Sequence, residues 1–141
     1  MNGRTFVDSN VLIYAHDFKA TKKNPIAKAV LFDLWNEGTG VLSMQVLQEF
    51  YVNVTRKIPS PLPKDSARSV VSNYAVWCVE TGPAEIATAF RIEDEARIGF
   101  WDALIVSSAV KSGAARILSE DLNAGQLISG IPIENPFSGI R

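Results

Sequence analysis

The sequence predicts an α/β fold: a mostly parallel sheet with helices on both faces. Short apolar strands alternate with helical segments along the whole chain. Parallel strands need crossover connections, and right-handed crossovers put the helices on the two faces of the sheet. No repeat, low-complexity stretch or linker interrupts the alternation, and 141 residues suit one core, so residues 1–141 are predicted to form one domain.

The first strand is predicted over Thr5 to Val7. Asp8 ends it, Ser9-Asn10 offer capping side chains, and Val11 to Tyr14 continue as an apolar helical run. Asn24-Pro25 marks the next helix start, with Asn24 as cap. Its inward spacing is Ala27, Val30, Leu31, Leu34 and Trp35, and Gly38 to Gly40 stop it. Val41-Leu42 reads as a short strand. Ser43 caps a helix whose apolar stripe is Leu47, Phe50, Tyr51 and Val54. Three prolines stiffen the loop from Ile58 to Pro63. Lys64 to Tyr74 reads as a helix and Ala75 to Val79 as a buried strand.

Gly82-Pro83 opens a helix to about Arg97, with Ile86, Ala87, Phe90 and Ala96 predicted inward and Glu85, Glu93, Asp94 and Glu95 on its wet face. Phe100 to Lys111 is apolar on almost every side, which predicts a helix laid flat on the sheet, closed by Gly113. Arg116 to Leu118 is a strand ending in Ser119-Glu120-Asp121. Ile131 to Ile133 is a last strand, placed at an edge because Pro132 cannot donate to a ladder.

The composition narrows the function. The chain is 47% apolar and 21% charged, ordinary for a soluble globular protein. Its net charge of −1 lacks the basic excess of a passive nucleic-acid binder, so any phosphate contact is local or carried by a metal ion. Cys78 is the one cysteine and cannot form an intramolecular disulfide, which fits a reducing compartment. No apolar run has membrane-spanning length and no signal peptide is visible, so a cytoplasmic protein without membrane attachment is expected.

Taken singly, the acids are ambiguous. Asp8 sits at a strand-to-helix turn, where parallel sheets bind ligands, but Asp is also a common turn and cap residue. Asp121 closes a strand in the same way, within what also reads as a polar turn. Asp102 lies in the first turn of the most apolar helix, where the helix dipole favours its charge and the apolar surroundings call for a partner or a metal. Glu49 lies roughly opposite its helix's apolar stripe, so periodicity alone leaves it solvated. His16 is the only histidine, which argues against a zinc site. Ser9 and Ser119 flank strand-end acids, either orienting a carboxylate or a metal-bound water or serving as turn residues; the turn role fits Ser9 better.

Five segments together resemble a PIN domain, specifically a VapC-type ribonuclease, the toxin of a type II toxin–antitoxin pair. They are Phe6 to Ala15, Leu42 to Tyr51, Trp101 to Ile105, Leu118 to Leu122 with Gly125, and Asn135-Pro-Phe137. They run in the family's order over nearly the whole chain. The resemblance implies a PIN-like α/β/α sandwich and a metal-binding cluster of Asp8, Glu49, Asp102 and Asp121, with Asn10 and Ser119 supporting the ligands. It overrides the periodicity reading of Glu49. It also implies RNA as substrate, a homodimer, and a small VapB-type antitoxin that plugs or covers the cleft. Ser9 departs mildly from the threonine frequent after the first aspartate.

Four oxygen donors without sulfur or imidazole suit a hard ion, Mg²⁺ or Mn²⁺. One or two such ions can activate water for attack on a phosphodiester. Arg56 or Lys57 is a candidate for the RNA backbone. Two other readings use the same residues. An aspartate-nucleophile phosphatase of the haloacid dehalogenase type wants a second Asp where this chain has Asn10. A non-catalytic PIN-like binding module tends to lose acids that are all present here.

Overall fold

The computed structural model describes residues 3–140. Its elements are β1 (Arg4–Val7), α1 (Ser9–His16), α2 (Lys23–Glu37), β2 (Gly40–Val41), α3 (Met44–Arg56), α4 (Lys64–Tyr74), α5 (Pro83–Ala96), α6 (Phe100–Ser112), β3 (Ala114–Leu118), β4 (Leu127–Ile128) and β5 (Ile131–Glu134). The sheet order is β2-β1-β3-β5-β4. All pairs are parallel except β4 with β5. This is the α/β fold with a mostly parallel sheet that the alternating pattern predicts. Among the described residues no helix is long and apolar enough to cross a membrane.

The topology makes β1 and β3 neighbours although more than a hundred residues separate them. Val7 pairs with Leu118, and the Asp8 N–H donates to Leu118 O at 3.0 Å. Both strands therefore end at the same level. The turns that leave Val7 and Leu118 meet at the carboxyl edge of the sheet. Phe6, Val7, Ile117 and Leu118 are buried beneath that edge. Helices α1, α2, α3 and α4 pack against one another, while α6 lies on β1 and β3 and carries α5.

Several local expectations change. Ala75–Trp77 is a 3₁₀ turn and not a strand; sheet-like pairing survives only as the single bridge Leu42–Cys78. The turn continues α4, with the Cys78 N–H on Ala75 O at 3.1 Å, so that Trp77 is buried and Val76 stays exposed. The Trp77 indole lies across β2, where a Cβ on Gly40 would stand 2.7 Å from its ring. Glycine is what allows that approach.

The inward face of α5 is turned relative to the predicted one. Ala89 and Ile92 are buried with Glu85, whereas Ile86 and Phe90 are exposed. Glu85 turns back to accept the Gly82 N–H at 2.7 Å, and Ser107 Oγ donates to Glu85 O at 2.7 Å. The capping bond holds the Glu85 carboxyl below its usual range. Asn24 does not cap α2; it lies inside the helix and donates to Tyr14 O at 2.8 Å. On this side of the sheet the edge strand is β4, not β5. A Ser129-Gly130 turn, both residues at positive φ, folds β4 onto β5. Pro132 is accommodated because the neighbouring Ile133 N–H makes the bond, to Gln126 O at 3.0 Å.

Candidate active site

Asp8 caps α1: its Oδ1 accepts the Ser9 N–H at 2.7 Å. Its Oδ2 accepts the Ser119 hydroxyl at 2.7 Å and the Asn10 amide at 3.4 Å. Asp8 is only 5% exposed. Burial pushes its pKa from 3.8 up to about 6, against the pull of the Ser119 and Ser9 hydrogen bonds and with added repulsion from Glu49 and Asp121.

Asn10 and Ser119 form the framework between the two strand ends. Asn10 Nδ2 lies 3.3 Å from Asp121 Oδ2 and 3.4 Å from Ser119 Oγ, while Asn10 Oδ1 accepts the Glu120 N–H at 3.0 Å. Ser119 Oγ in turn accepts the N–H groups of Asp121 and Leu122, each at 3.2 Å. Ser119 is fully buried, so these bonds account for polar groups that water does not reach. The Asn10 amide thus engages Asp8, Ser119, Glu120 and Asp121 together. In a dehalogenase-type site its position would carry an acid; here it is a structural hub.

Glu49 enters from α3. It is half-buried and not solvated as periodicity had it, because α3 packs against α1 and Glu49 faces the same cleft as Ser9, Asn10 and Ile13. Burial raises its pKa, the Ser9 hydroxyl pulls it back, and the charges of Asp102 and Asp121 raise it again. Ser9, a turn residue by its sequence context, therefore also works on Glu49. Asp102 is half-buried in the first turn of α6; burial raises its pKa, followed by the charge of Asp121. Gln45 joins the two helices by donating to Trp101 O at 3.2 Å. Asp121 itself is exposed. Its charge acts on all three of the other acids.

A cleft of about 390 Å³ opens here, and Asn10, Glu49 and Asp121 line it together with Asn53, Lys57 and Pro59. Neither Asp8 nor Asp102 is part of its lining. Lys57 is part of the lining and Arg56 is not. Among the described residues none of the four acids is paired with a lysine or arginine. The donor set is all oxygen and its repulsion is uncompensated, which fits a hard divalent cation. Among the described residues no three acidic, histidine or cysteine side chains converge tightly enough to enclose an ion by themselves. An ion that keeps several waters and takes one or two carboxylates suits such a site. His16 is spent elsewhere, edge-on to Phe50 at 5.4 Å and 3.3 Å from the Tyr74 hydroxyl.

Sequence reasoning missed Tyr14, Lys23 and the side chain of Glu120. Tyr14 OH donates to Glu120 Oε1 at 2.9 Å, and Lys23 Nζ pairs with Glu120 Oε2. Nothing in the local sequence marks these contacts, which join residues about a hundred positions apart.

The chain shares its fold with solved structures. VapBC2 from Rickettsia felis, bound to a DNA fragment from the promoter, matches with a TM-score of 0.65 at 19% identity, over 93% of this chain and 97% of that chain. VapBC from Salmonella typhimurium, DNA-bound, matches at 0.65 and 20% identity, over 96% and 99%. FitAcB from Neisseria gonorrhoeae matches at 0.65 and 16% identity, over 95% and 99%. No curated protein sequence matches this chain. The family model of the PIN domain matches residues 5–127, a span that holds all the helices and the strand ends bearing Asp8 and Asp121: the chain belongs to the PIN domain family.

Proposed function

We propose that this protein is a ribonuclease dependent on Mg²⁺ or Mn²⁺, the VapC-type toxin of a toxin–antitoxin pair, built as one PIN domain. The observation that carries the reading is that Asp8 and Asp121 meet beyond the ends of β1 and β3, both reached by the Asn10 amide, with Glu49 and Asp121 lining one cleft and the charge of Asp121 acting on the other three acids. Asp8 and Asp121 would hold the ion directly, with Asp8 central, and Asp102 beside them would reach it through the waters such an ion keeps. When bound, the ion supplies an acidified water and positive charge at the scissile phosphate. Ser9 N–H and Ser119 Oγ keep the Asp8 carboxylate oriented. Glu49, its pKa raised by burial, suits taking up a proton or orienting the attacking water. Lys57 lines the cleft and would hold an RNA phosphate there.

The partner assignments rest on resemblance and on exposed surface. The fold neighbours are VapBC and FitAcB structures. Helix α1 separates two surfaces: Asn10, Ile13 and Tyr14 line the cleft, while Ala15 and His16 line an apolar groove with Phe32 and Trp35. A VapB-type antitoxin tail with apolar anchors in the groove and a basic side chain in the cleft would satisfy both. The homodimer has a second apolar surface available in Met44, Ile86, Phe90 and Trp101, all exposed. The site of action is the cytoplasm. Purified protein is expected to cleave single-stranded RNA with Mg²⁺ or Mn²⁺, to stop in chelator and to resume when the ion is restored. Cleavage undiminished by chelator overturns the mechanism.

A further inference from the structure

We propose that Lys23, Tyr14 and Glu120 form a positioning unit for the acidic site, with Glu120 as the residue that fixes the loop bearing Asp121. The inference rests on the metal-dependent reading above and names residues outside its ligand set. The loop Ser119 to Leu122 has to hold an exposed carboxylate in place, and exposed loop carboxylates are ordinarily mobile. Here the residue between Ser119 and Asp121 is anchored at both ends of its structure. Its backbone N–H donates to Asn10 Oδ1 at 3.0 Å. Its side chain accepts the Tyr14 hydroxyl at 2.9 Å on Oε1 and pairs with the Lys23 ammonium on Oε2.

Lys23 is itself confined. Its Nζ lies 3.3 Å from the Tyr14 hydroxyl, 4.7 Å from the centre of the Tyr14 ring and 5.8 Å from that of Phe137. Tyr14 and Phe137 meet edge to face at 5.1 Å. Phe137 is 3% exposed, so the cage is fixed to the core. The Lys23 and Glu120 side chains are only 32% and 24% exposed, unlike the surface pair Arg91–Glu95 at 55% and 60%. A pair so shielded and bonded on several sides holds geometry in a way a solvated pair does not. The chain of contacts runs from α2 through Glu120 to Asn10, and Asn10 reaches both Asp8 and Asp121. Loss of the Glu120 side chain frees the loop from Tyr14 and Lys23 and leaves it held by the Asn10 and Ser119 bonds, with no side-chain tie to α2.

The test compares Glu120→Ala, Glu120→Gln and the surface control Glu95→Ala. Mn²⁺ affinity is measured by calorimetry on the RNA-free protein, with kcat and KM for RNA cleavage beside it. Groups that orient metal ligands alter affinity or activity by about 10–100-fold when removed. Glu120→Ala is expected to weaken Mn²⁺ binding by about tenfold or more and to lower kcat, with KM for RNA nearly unchanged. Glu120→Gln keeps an acceptor for Tyr14 and is expected to recover part of both. Glu95→Ala is expected to match wild type. Wild-type Mn²⁺ affinity and kcat in Glu120→Ala, whatever its melting temperature, overturns the positioning role alone. A wild-type protein that binds no Mn²⁺ overturns the metal reading and this role together.

Discussion

Asp8→Asn is expected to lower metal-dependent RNA cleavage by on the order of 10³-fold and, without metal, to make the protein more stable at pH 8 and less stable at pH 4. Burial sets the sign of the stability change. The folded pKa of Asp8 is raised from 3.8 to about 6, so the native state holds a proton that the unfolded chain has already released. The contribution of Asp8 to stability is therefore intact below about pH 3.8 and lost as the pH rises through about 6. Converted at about 1.4 kcal/mol per pH unit, the full penalty in alkaline, metal-free solution is about 3 kcal/mol. Asparagine removes the charge but also an acceptor. Ser119 Oγ and Asn10 Nδ2 donate to Oδ2 and the Ser9 N–H to Oδ1; the single carboxamide oxygen can accept on one of those sides only, at a cost of about 1–2 kcal/mol.

The balance favours the variant by about 1–2 kcal/mol at pH 8 and disfavours it at pH 4, where wild-type Asp8 is protonated. Mn²⁺ reverses the pH 8 ranking because it binds wild type more tightly. Urea melts of both proteins at pH 4 and pH 8, each with chelator and with Mn²⁺, read all of this. Equal midpoints under every condition, with cleavage retained, would mean that Asp8 is only a cap.

Ser119→Ala is expected to be among the most costly small substitutions in the protein. The hydroxyl is fully buried, donates to Asp8 Oδ2 at 2.7 Å and accepts two backbone N–H groups at 3.2 Å. Alanine leaves both N–H groups without that acceptor and takes from Asp8 the strongest influence holding its pKa down. Each unsatisfied buried group costs about 1–3 kcal/mol, so a loss of roughly 2–4 kcal/mol is expected, with weakened metal binding. Ser112 is the comparison: it too is buried, but its hydroxyl donates to Ala109 O in its own helix. Ser112→Ala is expected to cost about 1 kcal/mol and to leave cleavage unchanged. Equal losses in the two variants would contradict the special role of Ser119.

What could be read from sequence was what local chemistry decides. The strand, the carboxylate at its end and the helix start lie close together in the chain and form as the sequence indicates, but the cap is Asp8 and not Ser9 or Asn10, which lie inside α1. The convergence of Asp8 with Asp121 needed only that β1 and β3 be adjacent. Glu49 was misjudged by periodicity because a helix packed on two sides has no single wet face; α3 buries Phe50 in the core and turns Glu49 toward α1. In α5 the apolar pattern pointed the wrong way because Ile86 and Phe90 are exposed and an acid, Glu85, is buried for capping. Residues 75–79 had a strand's composition, but α4 runs on into a turn that delivers Trp77 to Gly40. The Glu120 anchors were beyond any local reading, since its partners lie 106 and 97 residues away.

The central claim is that the four acids act as one metal-binding site. Anomalous diffraction from a crystal soaked in Mn²⁺ tests it most directly. The expected result is a manganese peak in the cleft with Asp8 and Asp121 as ligands, absent from an Asp8→Asn crystal treated in the same way. A peak bound elsewhere, or none at all while RNA cleavage persists in chelator, would contradict it.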